Sequence, residues 1–260
     1  LAAAVPTFAE ALETGMREGN MHIVPLALGH LGQLQAAQGR LHEAEKMYRD
    51  GLRRAEEMGP VPSPLAGNAY AGLGQLHYEW NDLGTSEAFL RRAIALGKPW
   101  NSWESLVPGY MGLAQIHRVY QRWEAAFATL DELKEVCRQA NMEMMLPTVE
   151  LARIRLEADR GNLEMVARWL ADQNLGDETA PSQMEEGEAL SRLRLLLALG
   201  RHRQAAQRIE RLLPRMEAGE RWGRVLEALV PQDIAMEDQN RRDGALAELE
   251  RALAQGERQA

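Results

Sequence analysis

The 260-residue chain has a single cysteine, Cys137, which excludes an internal disulfide framework and a cysteine-rich zinc site. Aromatic residues make up only 5% of it, and it holds just six Ile and ten Val. Strands draw on β-branched and aromatic side chains, so this scarcity argues against a large sheet. No apolar run approaches the ~18 residues of a membrane helix. No charged-then-apolar leader is visible. Positive charge is in short supply too: 30 Lys and Arg face 38 Asp and Glu, for a net charge of −8. A nucleic-acid-coating surface carries the opposite, basic footprint, so direct nucleic-acid binding is not expected.

Catalytic signatures are also missing. His42-Glu43 is followed by Lys46 where a zinc-protease helix needs its second His, and no GxxxxGK[ST] phosphate loop occurs. His77 and His117 share one repeat position, which puts them on successive helices ~8–10 Å apart, too far to share a metal. Cys137 has no His near it in sequence and reads as a packing residue rather than a nucleophile. Glu185, Glu186 and Glu188 read as a solvated helix start. No carboxylate pair accompanies a nucleophile, so the chain is expected not to be an enzyme.

What the sequence does have is a period. Six segments align without gaps on the turn residues Gly39, Asn81, Gln121, Gly161, Gly200 and Asn240, at spacings of 42, 40, 40, 39 and 40 residues. Five residues beyond each anchor come Ala44, Ser86, Ala126, Val166, Ala205 and Ala245; nine beyond come Tyr48, Leu90, Leu130, Leu170, Ile209 and Leu249. A small residue followed four later by a large apolar one is a helix face packed closely on a neighbour. Gly or Asn at the anchor suits the left-handed turn that ends a helix. Before the anchors, Leu31-Gly32-Gln33-Leu34, Leu73-Gly74-Gln75-Leu76 and Leu113-Ala114-Gln115-Ile116 share one offset. Glycine inside a helix costs ~1 kcal/mol against Ala, so Gly32 and Gly74 imply a close helix crossing.

Each unit reads as helix A, a tight turn, helix B and a loop, with breakers at Gly59 to Pro64, Gly97 to Pro99, Met145 to Pro147 and Gly176 to Pro181. A lone hairpin cannot bury its apolar face, so neighbours must stack. The expected fold is all-α: one domain over residues 1–260, a right-handed α-solenoid of about six ~40-residue helix-turn-helix repeats. Phe8 and Leu12 match Tyr48 and Leu52 one period earlier, so residues 1–18 read as a helix B without its helix A. A chain that begins in mid-repeat is expected to be a fragment of a longer protein. Pro231 falls midway along the last helix A, where a kink or a helix start is expected.

The Leu31-Gly32 pair, Ala44, Tyr48 and Gly51 follow the tetratricopeptide pattern of Leu-Gly, small and aromatic positions. With a period near 40, and with the segments from Arg221 to Val230 and from Asp243 to Leu253, the chain resembles the superhelical domain of MalT-like, LuxR-type transcriptional activators. The resemblance implies a cytoplasmic regulator of the signal-transducing ATPase class. The superhelix would bind an inducer and relay it to ATPase and DNA-binding modules lying outside this segment. It also implies ATP as the cofactor of the parent protein and none for this segment.

In such superhelices the A helices line a concave groove. One groove-facing position maps onto Gln33, Gln75, Gln115, Arg155 and Arg194, and the position three residues on includes Tyr78 and Arg118. This ladder of amide and guanidinium donors suits carbohydrate hydroxyls, carboxylates or a peptide backbone, with Tyr78 and Tyr110 as stacking platforms. The expected partners are a small-molecule inducer or a peptide, and the other domains of the parent regulator. The competing reading is a polar groove, merely solvated, that repeats by duplication. Trp100 and Trp103 are expected to cap the seam between repeats, and Trp123 to be core. The arginines from Arg201 to Arg224 alternate with Glu210, Glu217 and Glu220, which suggests a salt-bridged surface or docking face rather than a DNA contact.

Overall fold

The structure is a computed structural model that describes residues 4–20, 22–57, 65–172, 183–218, 225 and 250. Among these residues the ordered elements are all helical. The A helices are α2 (Ile23–Ala37), α4 (Ala66–Glu79), α6 (Trp103–Val119), α8 (Leu146–Asp159) and α10 (Gln183–Ala198). The B helices are α1 (Ala4–Glu18), α3 (Leu41–Glu56), α5 (Leu83–Gly97), α7 (Trp123–Gln139), α9 (Leu163–Asp172) and α11 (His202–Ala218). The expected helix over residues 1–18 is thus α1. The repeat anchored at Asn240, and Pro231 with it, lies outside the described residues.

The chain is an α-solenoid of helical hairpins, and its contacts divide it into two compact units, Leu1–Met144 and Met145–Gln259. In the first unit each A helix packs on its own B helix and on the next A helix: α2 on α3 and α4, α4 on α5 and α6, α6 on α7. In the second, α8 packs on α9 and α10, and α10 on α11. Its core gathers Leu151, Ile154, Val166, Leu170, Leu193, Leu196, Ala205 and Ile209. The division falls after the third complete hairpin, where the sequence suggests one continuous array.

All five described anchors have positive φ: Gly39 at 85°, Asn81 at 60°, Gln121 at 55°, Gly161 at 89° and Gly200 at 68°. Each closes its A helix in the same way. The anchor N–H donates to the carbonyl three residues back, and the next N–H reaches five back, as from Asp82 to His77 and from Arg122 to His117, both at 2.8 Å. Gln121 adopts this left-handed conformation without being Gly or Asn, so the two carbonyls captured by its turn must offset the local strain. Asp82 adds a cap to α5, its carboxylate accepting from the Thr85 N–H at 3.2 Å.

The A and B helices bury different amounts of themselves, and composition explains why. Helix α3 presents one apolar edge, Ala44, Tyr48, Gly51 and Ala55, and its outer face carries i,i+4 pairs such as Glu45–Arg49. Helix α4 is enclosed on most sides and buries Ala66, Gly67, Ala69, Ala71, Gly72, Leu73, Gly74 and Leu76. Small residues allow its neighbours to come close. A Cβ on Gly32 would meet Tyr48 Cε1 at 2.7 Å, and one on Gly74 would meet Leu90 Cγ at 2.6 Å. Both lie inside any real van der Waals distance, so the crossing inferred at Gly32 and Gly74 is present. Ser86, standing where other repeats have Ala, is fully buried and donates its hydroxyl to the Gly74 carbonyl at 2.6 Å.

The first apolar slot of each B helix is less enclosed than the sequence suggests. Trp123 and its equivalents Leu41 and Leu83 are half-buried, and Leu163 is exposed. That slot is in the first turn of helix B, which has packing partners on one side only.

Gly74→Ala and Gly84→Ala form a test pair. Alanine at 74 meets Leu90 and is expected to cost about 1–3 kcal/mol, as overpacking does. No atom comes within 4 Å of a Cβ at Gly84, near the start of α5, so alanine there should be neutral or stabilise by up to about 1 kcal/mol. Urea titration of both variants measures the contrast.

Candidate functional site

Three of the described polar bridges between A helices involve ladder residues, and one of them, Tyr78–Arg118, joins two. In the first unit Gln33 of α2 donates from Nε2 to Asn68 Oδ1 of α4 at 3.0 Å. Arg118 of α6 donates to the Tyr78 hydroxyl of α4 at 3.2 Å. Gln75 is exposed on the same helix as Tyr78, and Gln115 is half-buried beside Arg118. In the second unit Arg155 of α8 donates to Ser191 Oγ of α10 at 3.3 Å, and that hydroxyl donates to the Gly187 carbonyl at 2.9 Å. Thr148 donates to Glu188 at 2.9 Å, and Glu188 also pairs with Arg192. Arg194 is half-buried on α10. Polar side chains thus cross-link A helices within each unit; Gln33 and Arg155 stand at the offset where Gln and Arg repeat, and Tyr78 and Arg118 three residues further on.

Tyr110 does not belong to this face. It is only 2% exposed, so its ring offers no stacking platform. Five residues separate it from Gln115, about 140° around a helix of 3.6 residues per turn, which turns it toward α7. Its hydroxyl donates to Glu132 Oε1 at 2.6 Å, and the same oxygen accepts from Lys98 Nζ at 2.8 Å. Burial pushes the Tyr110 phenol up to about 12, with the Glu132 hydrogen bond adding to it. Hydrogen bonds from Lys98 and Tyr110 hold the Glu132 carboxyl below its ordinary value. This triad ties the end of α5 to α6 and α7.

Trp100 and Trp103 also depart from expectation. They are 65% and 52% exposed, flanking Asn101 at φ 49°, so they do not seal the seam between repeats. The turn projects both indoles outward. Cys137 is fully buried and burial pushes its thiol up, in keeping with a packing role.

Three further residues meet the polar face: Asn68, His30 and Glu104. Asn68 is 5% exposed on the apolar helix α4. A buried amide among Ala66, Gly67 and Ala69 requires a partner, and that break in the pattern was the available clue. His30 Nδ1 lies 3.2 Å from Gln33 Oε1, and His30 Nε2 lies 3.6 Å from Glu104 Oε1. Glu104 stands on α6, more than 70 residues away, and nothing local announces it.

His77 and His117 share a repeat position but not an environment. His77 Nδ1 lies 3.1 Å from Asp82 Oδ2, and its ring meets Trp80 edge-on and Phe89 at a tilt. His117 has Arg122 where His77 has Asp82. Burial lowers the His117 pKa; Glu87 raises it, and Arg91 and Arg122 lower it further. Among the described residues no three His, Cys, Asp or Glu side chains converge to hold a metal. No helix among them is long and apolar enough to cross a membrane.

A stack of A/B hairpins joined by left-handed turns, with small residues at the crossings, defines a helical-repeat protein of the tetratricopeptide type. Residues 1–259 match the family model described as the MalT-like TPR region, and the chain belongs to that family. No curated protein matches it. Among solved structures it is similar to the crystal structure of BtubC (BKLC) from P. vanneervenii, at 19% identity and a TM-score of 0.56 over 94% of this chain and 91% of that one. At that identity the likeness concerns the fold alone.

The depressed His117 pKa has a sign. Below the ordinary imidazole value of ~6.5 the unfolded chain takes up a proton that the folded chain resists. This site therefore contributes a stability loss that grows as pH falls through ~6.5 and is absent well above it. His117→Leu should flatten the unfolding free energy measured between about pH 7.5 and about pH 5.5.

Proposed function

We propose that this chain is the ligand-sensing and interaction domain of a LuxR-type transcriptional activator. In this reading it is a non-enzymatic, cytoplasmic module. It binds an inducer on the A-helix face and relays that state to nucleotide-hydrolysing and DNA-binding modules elsewhere in the parent protein. Membership of the MalT-like TPR family supports the regulatory part of the reading. The observation that carries the binding part is the polar cross-linking of A helices in the first unit, Gln33–Asn68 and Tyr78–Arg118, a pattern that the second unit repeats by itself in Arg155–Ser191. Amide, hydroxyl and guanidinium groups that bridge adjacent helices can exchange a partner on the neighbouring helix for one on a ligand. A ligand that prefers one spacing of the helices then shifts the population toward it.

The second reading is a scaffold whose A-helix face holds a partner peptide or another domain. The bridges Gln33–Asn68 and Tyr78–Arg118 favour it, because they follow one another along successive A helices as an extended partner would. An extended partner needs no enclosed pocket.

Thermal-shift screening against sugars, organic acids and short peptides separates the two. A compound at 100 times its Kd stabilises the native state by about 2.7 kcal/mol. Gln75→Ala and Gln115→Ala should each remove most of the shift while leaving the ligand-free melting temperature nearly unchanged. Arg118→Ala is the poorer probe, because its guanidinium also holds the Tyr78 hydroxyl. A sugar or acid shift abolished by both variants supports the sensor, and a response to peptides alone supports the scaffold. Binding unaffected by either substitution refutes this site.

A further inference from the structure

Each pair of successive B helices meets the A helix between them in a seam, and the first seam is built differently from the next. Leu96 and Val136 stand 15 residues beyond the anchors Asn81 and Gln121, and Arg54 stands 15 beyond Gly39. Leu96 is buried and closes its seam against Ala55 of α3 and Ala66 of α4. One repeat earlier the positions of Ala55 and Ala66 belong to Gly15 of α1 and Val24 of α2. The second seam therefore has an aliphatic plug where the first has a half-buried guanidinium and a glycine. The space that Leu96 fills is left open here. Gly15, Met16, Gly19, Asn20, Val24 and Arg54 line a cavity of about 90 Å³.

The chemistry of this recess is one-sided. Val24 is a buried apolar wall, and Met16, 55% exposed, is a flexible thioether at the rim. The acceptors are engaged. The Gly15 carbonyl accepts from the Asn20 N–H at 2.8 Å. Asn20 Oδ1 accepts from the N–H groups of His22 and Ile23 at 3.1 and 3.2 Å, which leaves Asn20 its Nδ2 donor. Arg54 carries five N–H groups. Among the described residues its acceptor is Glu57 Oε2, reached from Nη1 at 3.4 Å, while Arg53 holds Glu57 Oε1 more closely at 3.1 Å. Donors beside apolar walls fit an anionic acceptor with an apolar body, and a carboxylate can meet a guanidinium through two parallel hydrogen bonds. At ~10–15 Å³ per water-sized group the cavity holds roughly six to nine such groups, the size of an acid of about four to six carbons.

We infer that this recess is a binding site for a short aliphatic carboxylate, with the carboxylate on Arg54 and the tail against Val24 and Met16. The bound acid supplies the plug that Leu96 supplies in the next seam, and so ties α1 to α2 and α3. The site shares no residue with the polar A-helix face and goes beyond the role proposed for that face. Either can fail without the other.

Methyl NMR of the full chain, titrated with sodium pentanoate, tests the site. The Met16 and Val24 methyl signals, assigned by single substitution, should shift saturably. Arg54→Gln should weaken that binding at least about tenfold, the scale of a hydrogen bond to a charged group. The neutral analogue 1-pentanol should bind the unsubstituted chain more weakly by a similar factor. Arg54→Leu copies the neighbouring seam, so it should abolish binding while the melting temperature holds or rises. The Arg54 variants leave Gln75 and Gln115 in place, so an acid held on the A-helix face still binds them. The site is refuted if pentanoate leaves Met16 and Val24 unmoved, if 1-pentanol binds as well as pentanoate, or if Arg54→Gln keeps full affinity.

Discussion

One contact recurs and positions everything else: a large side chain from helix B resting on residues without a Cβ in two successive A helices. Tyr48 covers Gly32 of its own hairpin and Gly72 of the next. Leu90 covers Gly74 and then Gly112 in the same way. Glycine inside a helix is costly, and four such positions are tolerable only where close approach returns more in packing than they lose. The ring of Tyr48 is almost wholly enclosed, and burial drives its phenol well above the ordinary value. Because the knob touches both the preceding and the following A helix, it sets their spacing, and spacing decides which polar groups of successive A helices can meet.

That spacing connects packing to the proposed function. Gln33 reaches Asn68, and Arg118 reaches Tyr78, only because the A helices lie close enough for side chains to span them. Small changes in separation break or remake these bonds, each worth about 0.5–1.5 kcal/mol net, which is the scale on which ligands shift populations. The Tyr110–Glu132–Lys98 triad plays the opposite part, locking α6 to α7 away from that face. The first unit thus combines a fixed packing seam with an adjustable polar one.

Much of this was legible in the sequence, for a physical reason. A repeat must satisfy the same local constraints each time, so Gly39, Asn81, Gln121, Gly161 and Gly200 could be aligned, and all five sit in the left-handed region. Gln33, Tyr78 and Arg118 followed from helix periodicity and do meet partners on adjacent helices. Residues whose role depends on distant chain were not legible. Glu104 acquires meaning only beside His30, and Asn68 only beside Gln33. Tyr110 is aromatic, but its angle around α6, and not its ring, decides its neighbours, and that angle turns it to Glu132 of α7. Trp123 shares its slot with Leu41, Leu83 and Leu163, which predicts core, and Trp100 and Trp103 lie between repeats, which predicts a cap on the seam; a one-sided first helical turn leaves Trp123 half-buried, and a projecting turn leaves the other two exposed.

The central claim is that the Tyr48 ring and the absence of a side chain at Gly72 are one energetic unit. A double-mutant cycle on Gly72→Ala and Tyr48→Leu, followed by urea unfolding, tests it most directly. The account predicts that Gly72→Ala costs about 1–3 kcal/mol beside Tyr48 and much less beside Leu, a coupling of at least about 1 kcal/mol. Equal costs in the two backgrounds would contradict it.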